Sequence, residues 1–286
     1  PNENYARELL ELHTMGADRG YTEKDVKEVA RCLTGWAWHN PYWDTRGEVG
    51  TFAFFSWMHD NGKKKVLGKT IPAGGGIADG ERVLDILAKR KETAEYIATK
   101  MLRWLYGYEP PKKLVKGVAR AYKKSDGDIR TMVRRALREK DMSKATPKLK
   151  RPFHLVISSL RALAADVEEP GLMLDHLADA GHLPFAWTPP NGYPDSTDWW
   201  ASFLLPRWNF AQAAVFEDGI QIDPSIDNPK GSAAAIVKRI DQVLMQGRMT
   251  SETRKTLEGM LAKRRTRERV REALATAIAA PEFQEY

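Results

Sequence analysis

The chain has 286 residues with 45 Lys or Arg against 38 Asp or Glu, which gives a formal net charge of +7. Its apolar content of 42% is sufficient for a buried core and excludes wholesale disorder. No apolar run approaches the roughly 18–20 residues that a membrane span requires. The single cysteine, Cys32, excludes an internal disulfide and a cysteine-based zinc site.

Amphipathic helices are predicted at the start of the chain. In residues 2–15 the apolar side chains recur on one face and charged side chains on the other, as in a helix packed against a core. A second helix is predicted to begin at Thr22, because its hydroxyl can cap the first turn and Asp25 occupies the capping-box position. Gly35 is expected to end this helix.

Residues 36–72 change character, since aromatic side chains are concentrated there among glycines and turn residues. We predict a small β-hairpin in which residues 51–58 pair with residues 64–71. The intervening Asn61-Gly62 favours a tight turn, because both central residues of such a turn need a positive φ. These are the strands that the sequence predicts.

Helical spacing returns after this aromatic β-hairpin region. It predicts helices at residues 79–89, 91–106, 111–124, 128–139, 153–165, 172–180, 199–216 (interrupted at Pro206), 236–246, 251–263 and 268–279. A loop rich in Pro and Trp is expected within residues 183–208. The predicted fold class is mainly α, a single multi-helix domain over residues 1–286 with one small β-hairpin insertion.

Aromatic and acidic side chains are concentrated in residues 36–57 and 183–208. If these segments meet, they form an aromatic-walled cleft in which sugar rings stack on aromatic planes and sugar hydroxyls bind charged groups. The predicted substrate-binding residues are Trp38, Trp43, Trp57, Trp187, Tyr193, Trp200 and Arg207. The alternative interpretation is that these aromatic side chains only pack a core that irregular backbone leaves thin.

Hydrolysis of a glycan would require two carboxylates, about 5–5.5 Å apart for retention of configuration or about 6.5–9.5 Å apart for inversion. The candidate catalytic residues are Asp44, Glu48, Asp60, Asp195 and Asp198. Two of them also have structural interpretations. Asp60 can shape the turn that follows it, and Asp195 can pair with Arg207 to lock its loop onto the next helix.

Other chemistries find little support. The six histidines form no H-E-x-x-H pair, so neither a metal site nor a cofactor is expected. The acidic and histidine side chains between Asp175 and His182 have ligand-like spacing, but a solvated helix face is the commoner explanation of such a pattern. No P-loop, dinucleotide fingerprint or G-x-S-x-G elbow is present.

Net basicity belongs to one segment, residues 111–151, which contains 15 Lys or Arg and four acids, a local balance of +11. Such a segment can contact phosphates with strong salt dependence, and an acidic polysaccharide would use the same charges. It lacks a recognition-helix motif and an RNA-binding aromatic signature. A nucleic-acid partner is therefore not expected, and polyanion binding is kept as a second alternative.

Four passages and the end of the chain resemble one family. They are residues 2–16 (NENYARELLELHTMG), residues 20–36, residues 59–68 (HDNGKKKVLG), residues 189–195 (PPNGYPD) with Trp200, Arg207 and Asn209-Phe210, and residues 280–284 (APEFQ), where Ala replaces the family's Ser. Together they resemble the bacterial domain-of-unknown-function family 1800 over nearly the whole chain.

The resemblance implies a mostly helical bacterial protein that is commonly made with an export signal, hence a periplasmic or secreted location. Pro1-Asn2-Glu3-Asn4 shows no signal-peptide pattern. The family's domain usually continues upstream of the passage that opens this chain. The sequence is therefore expected to be the C-terminal part of a longer protein, with the upstream half as a partner.

The sequence thus leads to one functional hypothesis with two alternatives. The hypothesis is an envelope or secreted protein that engages a glycan, with hydrolysis by paired carboxylates as one form of that engagement. The first alternative is a non-enzymatic cell-surface or assembly module. The second alternative is nucleic-acid or polyanion binding through residues 111–151. Enzymatic and non-enzymatic functions are both open at this point.

Overall fold

A computed structural model describes residues 1–40, 42 and 47–286 of the chain. These residues form two compact units, Pro1–Thr146 and Pro147–Tyr286. Helices dominate both units, which confirms the mainly α class. The single domain expected over the whole chain stays a prediction. Among the described residues, no helix combines the length and the apolar character needed to cross a membrane.

The first unit contains seven α-helices and four strands within its described part. They are α1 (Glu3–Glu8), α2 (Glu23–Cys32), β1 (Trp36–Trp38), β2 (Phe52–Phe54), β3 (Lys64–Val66), β4 (Lys69–Ile71), α3 (Ile77–Ala88), α4 (Lys91–Leu105), α5 (Lys112–Lys124), α6 (Ile129–Ala136) and α7 (Glu139–Met142). The helix that begins as α1 continues in wider π-type turns over Leu9–Thr14, so the helix predicted at residues 2–15 is present.

The predicted capping box at the start of α2 is confirmed. The Asp25 N–H donates to Thr22 Oγ1 at 3.3 Å, and the Thr22 N–H donates to the Asp25 carboxylate at 3.0 Å. Two carboxylates of α2 also bind the β3–β4 hairpin: Asp25 accepts from the Leu67 N–H at 2.7 Å, and Glu28 accepts from the Lys65 N–H at 2.6 Å. Helix α2 therefore holds this hairpin by its backbone.

The strand pairing predicted for residues 51–58 and 64–71 is wrong. Strand β2 pairs with β1, with Trp38 opposite Phe52, and β3 pairs with β4. Asn61-Gly62 makes no hairpin turn, because neither residue has the positive φ that such a turn needs. The Gly62 N–H instead donates to the Asp60 carboxylate at 2.8 Å. The β3–β4 turn instead lies at Leu67-Gly68, where φ is +48° and +81°. A two-residue hairpin turn of type I′ requires a positive φ at both of these positions.

Two apolar clusters form the core of the first unit. One joins α1, α2, β3, β4 and α3, and it includes Leu10, Met15, Val26, Val29, Val66, Ile71, Val83 and Leu87. The other joins α4, α5 and α6, and it includes Ala94, Ala98, Leu102, Leu114, Val118, Met132 and Ala136. These residues recur at the three-to-four spacing that predicted the helices, so the periodicity is explained by burial.

The second unit is helical apart from one short strand pair in its described residues. Its elements are α8 (Pro152–Ala162), β5 (Asp166–Val167), α9 (Pro170–Asp179), α10 (Thr197–Ala201), α11 (Leu204–Phe216), β6 (Ile220–Gln221), α12 (Ala233–Ile240), α13 (Ser251–Leu261), α14 (Arg267–Ala279) and α15 (Pro281–Gln284). The interruption predicted at Pro206 within the helix at residues 199–216 lies earlier, at Ser202 and Phe203, and Pro206 belongs to the first turn of α11. The β5–β6 pair was not predicted.

The β3–β4 turn yields a test of the corrected pairing. Gly68→Ala should lower the free energy of unfolding by about 1 kcal/mol, because φ is +81° there and a Cβ would meet no atom within 4 Å, leaving backbone strain as the main cost. Gly68→Asn should lose clearly less, since Asn tolerates this backbone region. Urea unfolding measures both variants, and equal losses would contradict the turn.

Candidate functional site

An open groove of about 640 Å³ lies beside the β1–β2 sheet in the first unit. Its lining is largely aromatic and apolar, and it comprises Pro1, Asn2, Tyr5, Ala30, Leu33, Thr34, Gly35, Trp36, Ala37, Trp38, Phe52 and Met58. Among the described residues, no Asp, Glu, Lys or Arg side chain lines it. Such a groove suits a ligand that presents C–H surfaces and neutral polar groups.

The pairing of β1 with β2 explains how the aromatic side chains reach the groove. Trp38 lies opposite Phe52 in the register, and their side chains are 49% and 54% exposed. Trp36 contacts Phe52 edge to face, with ring centroids 5.2 Å apart. Trp36 also packs against α3 at Gly80, where a Cβ would lie 2.4 Å from the indole ring. Trp36 is thus fixed, while Trp38 and Phe52 present aromatic surface to solvent.

A buried charged network contacts Thr34, one of the residues that line the groove. Lys64 Nζ donates to Asp79 Oδ2 at 2.7 Å, and both side chains are fully buried. Lys64 Nζ also donates to the carbonyl oxygen of Asp60. His59 Nε2 lies 3.3 Å from the same Asp79 oxygen, again fully buried. The network therefore joins β3, α3 and the loop that precedes β3.

His59 bridges the Thr34 backbone and Asp79. His59 Nδ1 lies 2.8 Å from the Thr34 carbonyl oxygen, and a carbonyl can only accept, so Nδ1 donates this hydrogen bond. His59 Nε2 lies 3.3 Å from Asp79 Oδ2. The imidazole therefore links the Thr34 backbone to the buried carboxylate that Lys64 also contacts.

Asp79 has unused hydrogen-bonding capacity on its second oxygen. Asp79 Oδ1 is buried without a hydrogen-bond partner, and Arg82 Nη1 is 4.0 Å away. Gly75 allows this oxygen its position, since a Cβ on Gly75 would lie 1.9 Å from it. The contacts of this carboxylate are therefore made mainly through Oδ2, with Lys64 and His59.

Thr34 connects the buried network to the groove. Its hydroxyl donates to the Arg31 carbonyl at 2.6 Å and accepts from the Asp60 N–H at 2.8 Å. Its own carbonyl accepts from His59. The Gly35 carbonyl accepts from the Phe55 N–H at 2.8 Å. Because Thr34 and Gly35 also line the groove, the network fixes the backbone on which the aromatic surface is built.

The Asp60 carboxylate forms an ion pair with Arg31, which disfavours a role as a general acid. Arg31 Nε and Nη2 donate to its two oxygens at 2.7 and 3.2 Å. These hydrogen bonds and the one from the Gly62 N–H lower the pKa of Asp60 to about 2. A general acid needs the opposite shift. The predicted turn-shaping role of Asp60 fits this geometry.

The other predicted residues of the first unit are more dispersed. Trp57 is 76% exposed, and its ring contacts Phe55 at a centroid distance of 6.3 Å. Glu48 is exposed. Trp43 and Asp44 lie outside the described residues, so the predictions for them stay predictions.

In the second unit the aromatic side chains of residues 183–208 contact one another. The Trp187 ring lies 4.9 Å from Tyr193 and 5.8 Å from Trp199 between centroids. Trp200 is fully buried and donates its indole N–H to the Pro194 carbonyl at 2.8 Å. These contacts favour a packing role for Trp200 and leave Trp187 and Tyr193 half-buried.

The charged candidates of the second unit are also engaged in fixed contacts. Asp195 accepts from Lys148 Nζ at 2.9 Å and from Arg151 at 3.0 Å. Burial opposes ionisation of Asp195, but these hydrogen bonds outweigh it and lower its pKa. Arg207 is buried and donates to Gln284 Oε1 at 2.6 Å and to the Lys150 carbonyl at 2.7 Å. Asp198 is exposed.

The predicted site residues are divided between the two units. The sequence analysis did not identify the buried ion pair of Lys64 and Asp79. Lys64 and Asp79 were missed because their positions resemble an exposed strand lysine and an ordinary first-turn helix acid. The signal available was the neighbouring pair Gly75-Gly76, which permits a close approach before α3. Within the described part of the chain, no group of three or more His, Cys, Asp or Glu side chains could hold a metal ion.

The Lys64–Asp79 pair predicts a large stability effect. Asp79→Asn should lower the free energy of unfolding by about 3–5 kcal/mol, because it leaves Lys64 buried without its counter-charge. Lys64→Met combined with Asp79→Leu should recover most of that loss, since an apolar pair carries no desolvation cost. Asp85→Asn, on the exposed face of α3, is the control. A loss below about 1 kcal/mol for Asp79→Asn in urea unfolding would contradict the pair.

The lowered pKa of Asp60 predicts a pH dependence. A carboxyl whose folded-state pKa lies near 2 instead of the usual value of about 3.9 stabilises the fold above pH 4, and this contribution is lost as the pH falls towards 2. The stability difference between the wild type and Asp60→Asn should therefore shrink between pH 5 and pH 2. Urea midpoints measured across this range test it, and Arg31→Met should abolish the trend.

Among the comparisons with known proteins, the comparison with family models gives a match. The sequence model of a family described as protein of unknown function (DUF1800) matches residues 1–285. No curated protein and no solved structure matches the chain significantly. The matched region contains the groove, the buried network and the aromatic segment of the second unit. The chain therefore belongs to the DUF1800 family.

Proposed function

We propose that this protein is an exported bacterial protein that binds a glycan through the aromatic groove of its first unit. The observation that carries the proposal is the pair Trp38 and Phe52, which present aromatic surface in an open groove with no charged side chain among its described lining. The periplasmic or secreted location is part of the proposal. It rests on the export that is usual in the family.

The chemistry of the groove favours a sugar over a charged ligand. An aromatic face is electron-rich, so the weakly positive C–H faces of a pyranose ring stack on it. The side-chain amide of Asn2 supplies a neutral polar group in the same groove, whereas the Thr34 hydroxyl is already engaged with Arg31 and Asp60. A lining of this kind holds a ligand by stacking and orients it with a few hydrogen bonds.

Binding is proposed in preference to hydrolysis. Hydrolysis needs a carboxylic acid with a raised pKa and a second carboxylate across the scissile bond. The ion pairs of Asp60 and Asp195 lower the pKa of each, and neither residue lines the groove. A non-enzymatic surface protein that recognises a glycan fits the described side chains better.

Binding to a polysaccharide panel tests the proposal. Affinity electrophoresis should reveal retardation in at least one neutral polysaccharide, and calorimetry with fragments of that polysaccharide should give the dissociation constant. Trp38→Ala should weaken binding about tenfold or more, because it removes a stacking plane worth about 1.4 kcal/mol or more. No reducing ends should be released.

Trp208→Ala is the matched control, because Trp208 is also half-exposed but belongs to the second unit. It should leave the dissociation constant unchanged. Failure of every polysaccharide to bind, or an equal loss in Trp38→Ala and Trp208→Ala, would overturn the groove proposal. Release of reducing ends that persists in Trp38→Ala would favour an enzyme with its active site elsewhere.

A further inference from the structure

A second pocket lies between α5 and α6, and cations dominate its lining. It has a volume of about 390 Å³ and is formed by Lys113, Gly117, Arg120, Ala121, Lys124, Arg135 and Arg138. Lys113, Gly117, Arg120 and Lys124 recur at intervals of four, three and four residues, so they form one stripe along α5. The volume lies within the range of small-molecule sites, about 300–1,000 Å³.

The positive charge of this pocket is largely uncompensated within the described part of the chain. Arg135 Nη1 donates to Asp141 Oδ2 at 2.7 Å. The described residues provide no ion-pair or hydrogen-bond partner for the side chains of four of the pocket's cations, Lys113, Arg120, Lys124 and Arg138. The nearby Asp128 caps α6 by accepting from the Thr131 N–H at 2.7 Å. Like charges gathered in one pocket repel each other, and a bound anion would relieve that repulsion.

Gly117 leaves room in the pocket for the Arg135 guanidinium. A Cβ on Gly117 would lie 2.6 Å from Arg135 Nη2 and 3.1 Å from Arg135 Cζ. The absence of a side chain therefore lets the guanidinium lie across α5, next to the basic stripe. Asp141 holds the other nitrogen of the same guanidinium. Arg135 is thus positioned from both sides, as a side chain that orients an oxyanion should be.

We propose that this pocket binds a tetrahedral oxyanion, either as free phosphate or sulfate or as the phosphate group of a small molecule. Arginine forks match the oxygens of such a group in pairs of parallel hydrogen bonds, and the lysines add point charges. Arg120 on the stripe, Arg138 just before α7 and the positioned Arg135 supply the forks. This site is independent of the aromatic groove and goes beyond the glycan proposal.

Calorimetric titration at low salt tests the site with inorganic phosphate, sulfate and glucose 6-phosphate as probes, and glucose as the uncharged control. Phosphate and sulfate should bind, and glucose should not bind in this pocket. Arg120→Gln should weaken phosphate binding about tenfold or more. Arg130→Gln is the matched control, because Arg130 lies on α6 outside the pocket with the same charge. It should change the affinity less than twofold.

The Gly117→Ala variant distinguishes a specific binding site from general electrostatic attraction by the basic surface. It removes no charge, and alanine favours a helix interior over glycine, so the thermal midpoint should not fall. Displacement of the Arg135 guanidinium should nevertheless weaken phosphate binding several-fold. Tighter binding of glucose 6-phosphate than of phosphate would identify a phosphate ester as the source, and equal binding would identify free phosphate.

Three results would overturn the inference. One is the absence of phosphate and sulfate binding. Another is an equal loss in Arg120→Gln and Arg130→Gln, which would indicate a diffuse field without a site. The third is an oligonucleotide that binds far more tightly than phosphate with a salt slope of several released ions, which would assign an extended polyanion surface to this face.

Discussion

The buried ion pair between Lys64 and Asp79 is the constraint on which the first unit depends. Two charges removed from water must be satisfied by each other and by fixed hydrogen bonds. This requirement ties β3 to α3, and His59 extends it to the Thr34 carbonyl. The backbone at Thr34 leads directly into β1, so the pair also determines where the aromatic strand begins. Part of the groove is therefore lined by backbone that the buried network holds in place.

The need to satisfy each carboxylate with hydrogen bonds or an opposite charge also explains why acidic side chains of this chain hold loops in place. Asp25 and Glu28 bind the backbone of the β3–β4 hairpin, and Asp60 binds Arg31. In the second unit, Asp195 serves Lys148 and Arg151 in the same way. Aromatic side chains and unpaired cations are left to face solvent. A protein with this distribution is suited to hold ligands by stacking and by anion contacts, in separate places.

The sequence predicted the helices well, because their periodicity and caps are local signals; the Thr22–Asp25 capping box is one of them. The predicted strand pairing was wrong because it relied on Asn61-Gly62, a local turn signal. In the structure the Gly62 N–H binds the Asp60 carboxylate, and β2 pairs with β1 instead of β3. Burial of individual tryptophans could not be predicted either. Trp38 and Trp200 are the same residue type in similar aromatic surroundings, and only the packing of distant elements leaves one exposed and the other buried.

The measurement that tests the glycan groove most directly is a titration followed through the indole N–H signals of the nine tryptophans by NMR. Single Trp→Phe substitutions would assign the signals, and a neutral oligosaccharide from the panel would be the ligand. The account predicts that the Trp38 signal shifts in a saturable way while the buried Trp200 signal does not move. Shifts confined to Trp187 and Trp199, or no shift at all, would contradict it.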